Sequence, residues 1–124
     1  MKKSHIQIGR LSRRKGHSFE REIAKIFREK TAFSGARRHL EYQGQEAAAG
    51  VDIIEVGKLA PQCKRGRSYA PITKLFEVGR VKNNIPMLIT KADDSPILVA
   101  LYFEDFIRII KDIGEVYDED DFLK

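Results

Sequence analysis

Residues 50–65 read GVDIIEVGKLAPQCKR, and within them Asp52, Gln62 and Lys64 carry side chains that complement one another chemically. Asp52 heads an apolar run. Gln62 and Lys64 lie two positions apart in a second run, beyond a Gly-containing turn. If both runs are strands, Gln62 and Lys64 project from one face, because strand side chains alternate. A carboxylate, an amide oxygen and an ammonium on one sheet face suit a divalent cation beside a phosphate. The carboxylate binds the ion, the amide oxygen adds to it, and the lysine orients a water or balances developing charge. A hard cation such as Mg²⁺ keeps several waters, so one or two carboxylates suffice. The backbone carbonyl of Cys63 is placed to add a further oxygen.

The turn between the two runs decides whether these groups meet. A two-residue turn at Gly57-Lys58 pairs Val56 with Leu59, which puts Asp52 opposite Cys63 and on the wrong face. A three-residue turn over residues 57–59 pairs Val56 with Ala60, Ile54 with Gln62 and Asp52 with Lys64. Pro61 disfavours regular pairing and hints at a bulge or an edge. The site therefore requires an odd-length turn or one bulge.

The flanking elements must hold this hairpin in place. Phe19, Ile23, Ile26 and Phe27 form one apolar stripe, which predicts a helix over residues 17–30. Glu20 falls at the margin of that stripe, either as a site residue or as a boundary carboxylate paired with a nearby arginine. Residues 36–42 read as a first strand, in which Arg37 and Arg38 point to opposite faces, so at most one of them faces the site. Residues 43–50 read as a loop over the site. A helix is expected over residues 69–80, with Ile72, Leu75, Phe76 and Gly79 on one face. Residues 86–91 and 96–102 read as two buried strands joined by a tight turn. Phe103, Phe106, Ile107 and Ile110 mark a closing helix. The whole is expected to be one mixed α/β domain spanning residues 1–124, with a flexible basic arm at 1–16 and an acidic tail at 115–124.

Charge is distributed unevenly along the chain. Residues 1–67 hold 16 Lys/Arg against 7 Asp/Glu, whereas residues 68–124 hold 7 against 11. The basic half thus contains the candidate site, as a polyphosphate substrate would require. Arg13, Arg14 and Lys15 in the arm, and Arg65 and Arg67 after the second run, are candidate phosphate contacts. No apolar run is long enough to cross a bilayer, and the basic N-terminus lacks the apolar stretch of a secretion signal. The single cysteine cannot form an internal disulfide, which fits a cytoplasmic protein.

Other chemistries lack their residues. His5, His17 and His39 have no ligand rhythm for zinc. There is no GxxxxGK[ST] loop and no nucleophile elbow. Cys63 as a nucleophile would face away from Gln62 and Lys64, which favours a core role.

The order of a glutamate in a first helix, GVDI on one strand and QCK on the next resembles the PD-(D/E)xK nuclease superfamily. Within it, RKGHSFEREIAKIF at residues 14–27 is similar to the opening of the archaeal Holliday-junction resolvases. The likeness runs from about Arg14 to Arg67. It implies a restriction-endonuclease-like core, a central twisted mixed sheet flanked by helices. It also implies catalytic roles for Glu20, Asp52 and Lys64, with Gln62 standing where these resolvases usually have glutamate. PQCKR is similar to the QxKR strand of Mrr-type restriction nucleases, where glutamine belongs to an active motif. Arg21 matches the arginine after the helix glutamate, and Arg37 or Arg38 the strand arginine.

The resemblance implies a Mg²⁺-dependent endonuclease, with Mn²⁺ as the alternative ion. Asp52, Gln62, the Cys63 carbonyl and Glu20 would surround the metal. The expected substrate is branched double-stranded DNA, cut at four-way junctions by a homodimer with one site per subunit. The source is archaeal, bacterial or viral. Residues 96–102 and the last helix are the candidate dimer surfaces. Two other readings are an Mrr-like general DNA endonuclease and a branched-DNA-binding module that keeps the fold without catalysis.

Overall fold

The computed structural model describes residues 5–40 and 48–116. Helix α1 (His5–Lys30) buries Phe19, Ile23 and Ala24, with Phe27 partly covered beside them. The helix stops where the Thr31 N–H bonds back to the Phe27 carbonyl, and Arg28 and Lys30 complement the dipole of the last turn. Residues 5–16, expected as a flexible arm, instead form the first turns of α1. That segment has no proline to interrupt the helix. Gly16 costs about 1 kcal/mol of helix propensity without ending the helix.

The sheet is built on the later half of the chain. Strand β3 (Leu59–Gly66) pairs in parallel with β4 (Ile85–Ala92), from Leu59↔Ile85 to Gly66↔Ala92. β4 pairs antiparallel with β5 (Leu98–Leu101), from Met87↔Leu101 to Thr90↔Leu98, so β4 is central. Residues 85–90 are all buried, which explains their unbroken apolar character. Two short strands, β1 (Arg37–Arg38) and β2 (Ile53–Ile54), form a separate antiparallel pair. A hydrogen bond from Asp52 N–H to the Pro61 carbonyl (2.8 Å) joins this pair to the free edge of β3. The fold is mixed α/β, with a three-stranded mixed sheet and helices.

Core residues fill both faces of β3. Cys63 packs with Phe19, Ile23, Ile53, Val56 and Ile89 on the α1 side. Ala60 packs with Val51, Ile54 and Val78 on the other. By alternation, Gln62 and Lys64 share the Ala60 face.

Several expected elements are shorter or more exposed than their sequence patterns implied. The helix over residues 69–80 is a 3-10 helix, Ile72–Glu77, in which Leu75 is buried while Ile72 and Phe76 are about 70% exposed. Pro71 is extended before it and Val78 after it, so six residues are all that turn. The first strand is two residues rather than seven. β5 is an edge strand with Leu98 and Val99 half exposed, not a buried one. Helix α2 (Phe103–Val116) runs into the segment read as an acidic tail, whose residues 117–124 lie outside the described part. Asp105 anchors α2: it is 1% exposed and accepts from Arg80 and Arg108 at 3.0 Å each. Burial pushes its carboxyl up, but the two guanidiniums outweigh that and hold it below the usual range. No helix among the described residues is long and apolar enough to cross a membrane.

Candidate functional site

The hairpin solves the register problem in a way neither simple turn describes. Leu59 N–H bonds to the Val56 carbonyl (3.2 Å), so the turn is the two-residue Gly57-Lys58, with Gly57 at φ 62°. The three-residue turn, one of the two arrangements that would bring the trio together, does not form. Glu55, however, adopts a left-handed φ of 63° and breaks the strand, and no regular β2–β3 ladder follows. Asp52 is therefore displaced from the position opposite Cys63, and its N–H reaches Pro61. Pro61 offers only a carbonyl on that edge, so its missing N–H costs no ladder bond there. Two residues on, the Cys63 N–H finds no β2 carbonyl and donates to Asp52 Oδ2 at 2.8 Å. The carboxylate thus rests on the backbone between Gln62 and Lys64, and the Cys63 carbonyl shares that strand edge.

Burial pushes the Asp52 carboxyl up to about 6; the Cys63 N–H opposes this, Glu20 adds to it, and Lys64 and His39 counter it. Glu20 and Lys64 are thus each close enough to act on Asp52 electrostatically. Glu20 is the partner of Arg38, whose Nε lies 2.9 Å from its Oε2. Of the two strand arginines, Arg38 turns inward and Arg37 is exposed. Cys63 is 6% exposed in the core, and burial, then Asp52 and Glu20, push its thiol well above the ordinary range, so it is no nucleophile.

Gln62 is 5% exposed, and its Nε2 donates to Glu77 Oε2 at 3.3 Å, while its Oε1 is buried with no donor among the described residues. Glu77 also accepts from Lys74 Nζ at 2.9 Å; that bond, then the one from Gln62, holds its carboxyl below the usual range. Sequence reasoning missed Glu77, which lies 15 residues beyond Gln62 and on a different element. It missed His39 too: its backbone N–H bonds to the Asp52 carbonyl (2.8 Å), and its Nε2 is buried without a partner among the described residues. The His39–Asp52 backbone bond depends on β1–β2 pairing, which residue spacing did not reveal.

Among the described residues, no three His, Cys, Asp or Glu side chains gather into a metal-binding group. The candidate oxygens are the Asp52 carboxylate, the Cys63 carbonyl on the same strand edge, Gln62 Oε1 from the adjoining strand position and the Glu20 carboxylate, which acts on Asp52. Two features fit a hard cation. A buried amide oxygen lacks a donor, and a buried carboxylate is held by a single N–H. A divalent ion would satisfy both.

The arginines form a second feature. Arg21, Arg28, Arg37 and Arg38, with Ala24 and Leu40, line a cavity of about 340 Å³. Arg28 donates to the Ala36 carbonyl (2.8 Å) and Arg38 is held by Glu20. Arg21 and Arg37 have no carboxylate partner among the described residues. Arg28 was not foreseen; it lies seven residues after Arg21, on the same helix face. The other basic candidates divide. Lys15 and Arg65 are drawn to Asp93 (3.4 and 3.8 Å), whereas Arg14 and Arg67 are exposed. Arg13 lies on α1, with its side chain outside the described part, as is most of the loop at 43–50.

Comparison with protein-family models, curated proteins and solved structures gives no match for this chain.

Proposed function

We propose that this chain is a Mg²⁺-dependent, structure-selective DNA endonuclease with a restriction-endonuclease-like core, acting in the cytoplasm on four-way junctions as a homodimer. The observation that carries this reading is the seating of Asp52. Its buried carboxylate lies against Cys63, with Glu20 and Lys64 acting on it and the donorless Gln62 oxygen on the neighbouring position. Asp52, Gln62, the Cys63 carbonyl and Glu20 would hold the cation. When bound, Mg²⁺ neutralises phosphate charge and lowers the pKa of a coordinated water. Lys64 balances charge on the phosphate and orients the attacking water. Arg38 fixes Glu20. The arginine cavity takes a neighbouring backbone phosphate, a contact that carries affinity without sequence information.

Phe76, Leu98, Val99, Phe103 and Phe106 supply an apolar surface for the second subunit. All are exposed, and Phe76 stacks on Tyr102 while Phe103 meets Phe106. Junction selectivity would then follow from the spacing of two sites and the shape of the DNA.

The absence of a three-carboxylate cluster among the described residues favours one other reading, a branched-DNA-binding module without catalysis. Incubation of a labelled four-way junction and a matching linear duplex, with and without Mg²⁺, tests both. Paired, metal-dependent nicks in the junction alone are expected. Cutting of both substrates alike would indicate an Mrr-like general endonuclease. Tight binding without cleavage in Mg²⁺ or Mn²⁺ would favour the binding module.

A further inference from the structure

A carboxamide has two ends of nearly equal shape, and only its hydrogen-bond partners decide which end points where. At Gln62 that decision is made by Glu77. An ionised carboxylate accepts but cannot donate, so Glu77 engages only the NH₂ end, here at 3.3 Å. The other end must then be the oxygen. It is buried, and no donor reaches it among the described residues. A buried acceptor left unsatisfied is costly, so it calls for a ligand.

Glu77 is itself held firmly. Lys74 Nζ occupies its other oxygen at 2.9 Å. Its backbone lies against Gly50, where an added Cβ would sit 2.6 Å from the Glu77 carbonyl oxygen. The Gly79 N–H bonds to the Ala49 carbonyl at 2.8 Å. The end of the 3-10 helix is thus clamped to the segment that leads into Asp52. With both oxygens engaged, Glu77 acts through Gln62 instead of binding an ion directly.

We propose that Glu77 is a positioning residue that fixes the Gln62 amide so that its oxygen, not its NH₂, serves as a neutral ligand for the divalent cation at Asp52. A glutamine can then do at this position what an ExK glutamate does without help, since a carboxylate presents oxygen at either end. The inference rests on the metal-site reading above.

The test is titration of the full chain with Mn²⁺ alone, without DNA, followed by electron paramagnetic resonance and calorimetry. Wild type, Asp52→Asn, Glu77→Gln and the exchanged pair Gln62→Glu/Glu77→Gln are compared, each checked for folding by circular dichroism. Glu77→Gln should weaken Mn²⁺ binding about 10–100-fold, the range for loss of a group that orients a ligand. It replaces an acceptor-only group with one that also donates, so the end of the Gln62 amide that faces it is no longer fixed. The exchanged pair should restore affinity, because the carboxylate at 62 needs no orientation and still finds an NH₂ partner at 77. Glu77→Gln binding within about two-fold of wild type, or an exchanged pair as weak as the single variant, would overturn the proposal. If Asp52→Asn loses Mn²⁺ in that case, the metal site itself stands. Wild type that binds no better than Asp52→Asn would remove both the positioning role and the metal site.

Discussion

Arg38 Nε lies 2.9 Å from Glu20 Oε2, and both side chains are more than four-fifths buried. This contact ties the first short strand to the first long helix, and it is Arg38, not the exposed Arg37, that turns to Glu20. It also holds Glu20 in place beside Asp52, on which it acts. Removing either member leaves a poorly solvated charge, which costs more than the pair contributes while intact. Glu20→Gln and Arg38→Gln should each destabilise the fold by about 2 kcal/mol, with a coupling of at least about 1 kcal/mol in the double variant. Urea denaturation of the four proteins measures this. Strictly additive losses would show that the contact carries no energy.

Asp52 sets the pH behaviour of the metal-free protein. Its carboxyl is raised from 3.8 to about 6 by burial first of all. The folded state therefore holds this proton more tightly than the unfolded chain. The resulting stability is fully present below pH 3.8 and is lost as the pH rises through about 6. At neutral pH, the ionised Asp52 costs the apo fold about 3 kcal/mol. Asp52→Asn should be more stable than wild type there, and the contribution of residue 52 to pH dependence should vanish. Mg²⁺ should raise the melting temperature of wild type and leave the variant unmoved. Thermal melts across this pH range, with and without Mg²⁺, read out each part. An Asp52→Asn protein less stable than wild type at neutral pH would contradict the assigned burial cost.

Arg21 and Arg37 line the arginine cavity without carboxylate partners among the described residues, so their charge remains for phosphate. Arg21→Gln/Arg37→Gln should weaken binding to junction and linear duplex by similar factors. The slope of log affinity against log salt should fall by about two if each side chain neutralises one phosphate. Fluorescence anisotropy over a salt series, in Ca²⁺ to prevent cutting, supplies the slope. Lys15→Gln should change it less, because Asp93 already lies 3.4 Å from that lysine. An unchanged slope in the double variant would mean that DNA does not enter the cavity.

Phe103, about three-quarters exposed, and Val99, half exposed, belong to the apolar surface assigned to the second subunit. Phe103→Asp and Val99→Lys should convert a dimer into a monomer in light scattering, while metal binding at Asp52 persists. Paired cleavage of junctions would then become single, uncoupled nicking. A wild-type monomer at tens of micromolar would assign the surface to some other role.

Sequence patterns revealed most of the strand framework, and they failed where tertiary contacts override local signals. The apolar run at 86–91 was legible as a strand because burial on both faces leaves few polar residues, and the strand that carries Gln62 and Lys64 was legible from their two-residue spacing after a turn. The Ile72–Phe76 pattern looked like a helix face, yet the segment closes as a 3-10 helix with those two side chains exposed. Periodicity reports that a face is apolar, not what covers it. The need for an odd-length turn or a bulge was readable from register arithmetic, but the strand break at Glu55 was not, since glutamate rarely adopts a left-handed φ. Asp52, Gln62 and Lys64 stood out by their types and spacing. Glu77 and His39 did not, because they reach the site through contacts between separate elements.

Gly50 provides a last, purely steric test of how the site is assembled. Its φ is 80°, and a Cβ there would lie 2.6 Å from the Glu77 carbonyl oxygen and 3.2 Å from the Val78 Cα. Both neighbours are backbone, so no side-chain rotation relieves the clash. Gly50→Ala combines a left-handed strain of about 1 kcal/mol with displacement of the 77–79 segment, and should cost about 2–3 kcal/mol in all. Gly16→Ala is the control: its Cβ meets nothing within 4 Å, and alanine favours a helix, so that variant should gain about 1 kcal/mol. Gly50→Ala should also weaken Mn²⁺ binding, because moving Glu77 away from Gln62 frees the amide to turn. Chemical denaturation and Mn²⁺ titration of the two variants separate these effects. A Gly50→Ala protein that loses stability but keeps full metal affinity would show that the clamp supports the fold without orienting the amide.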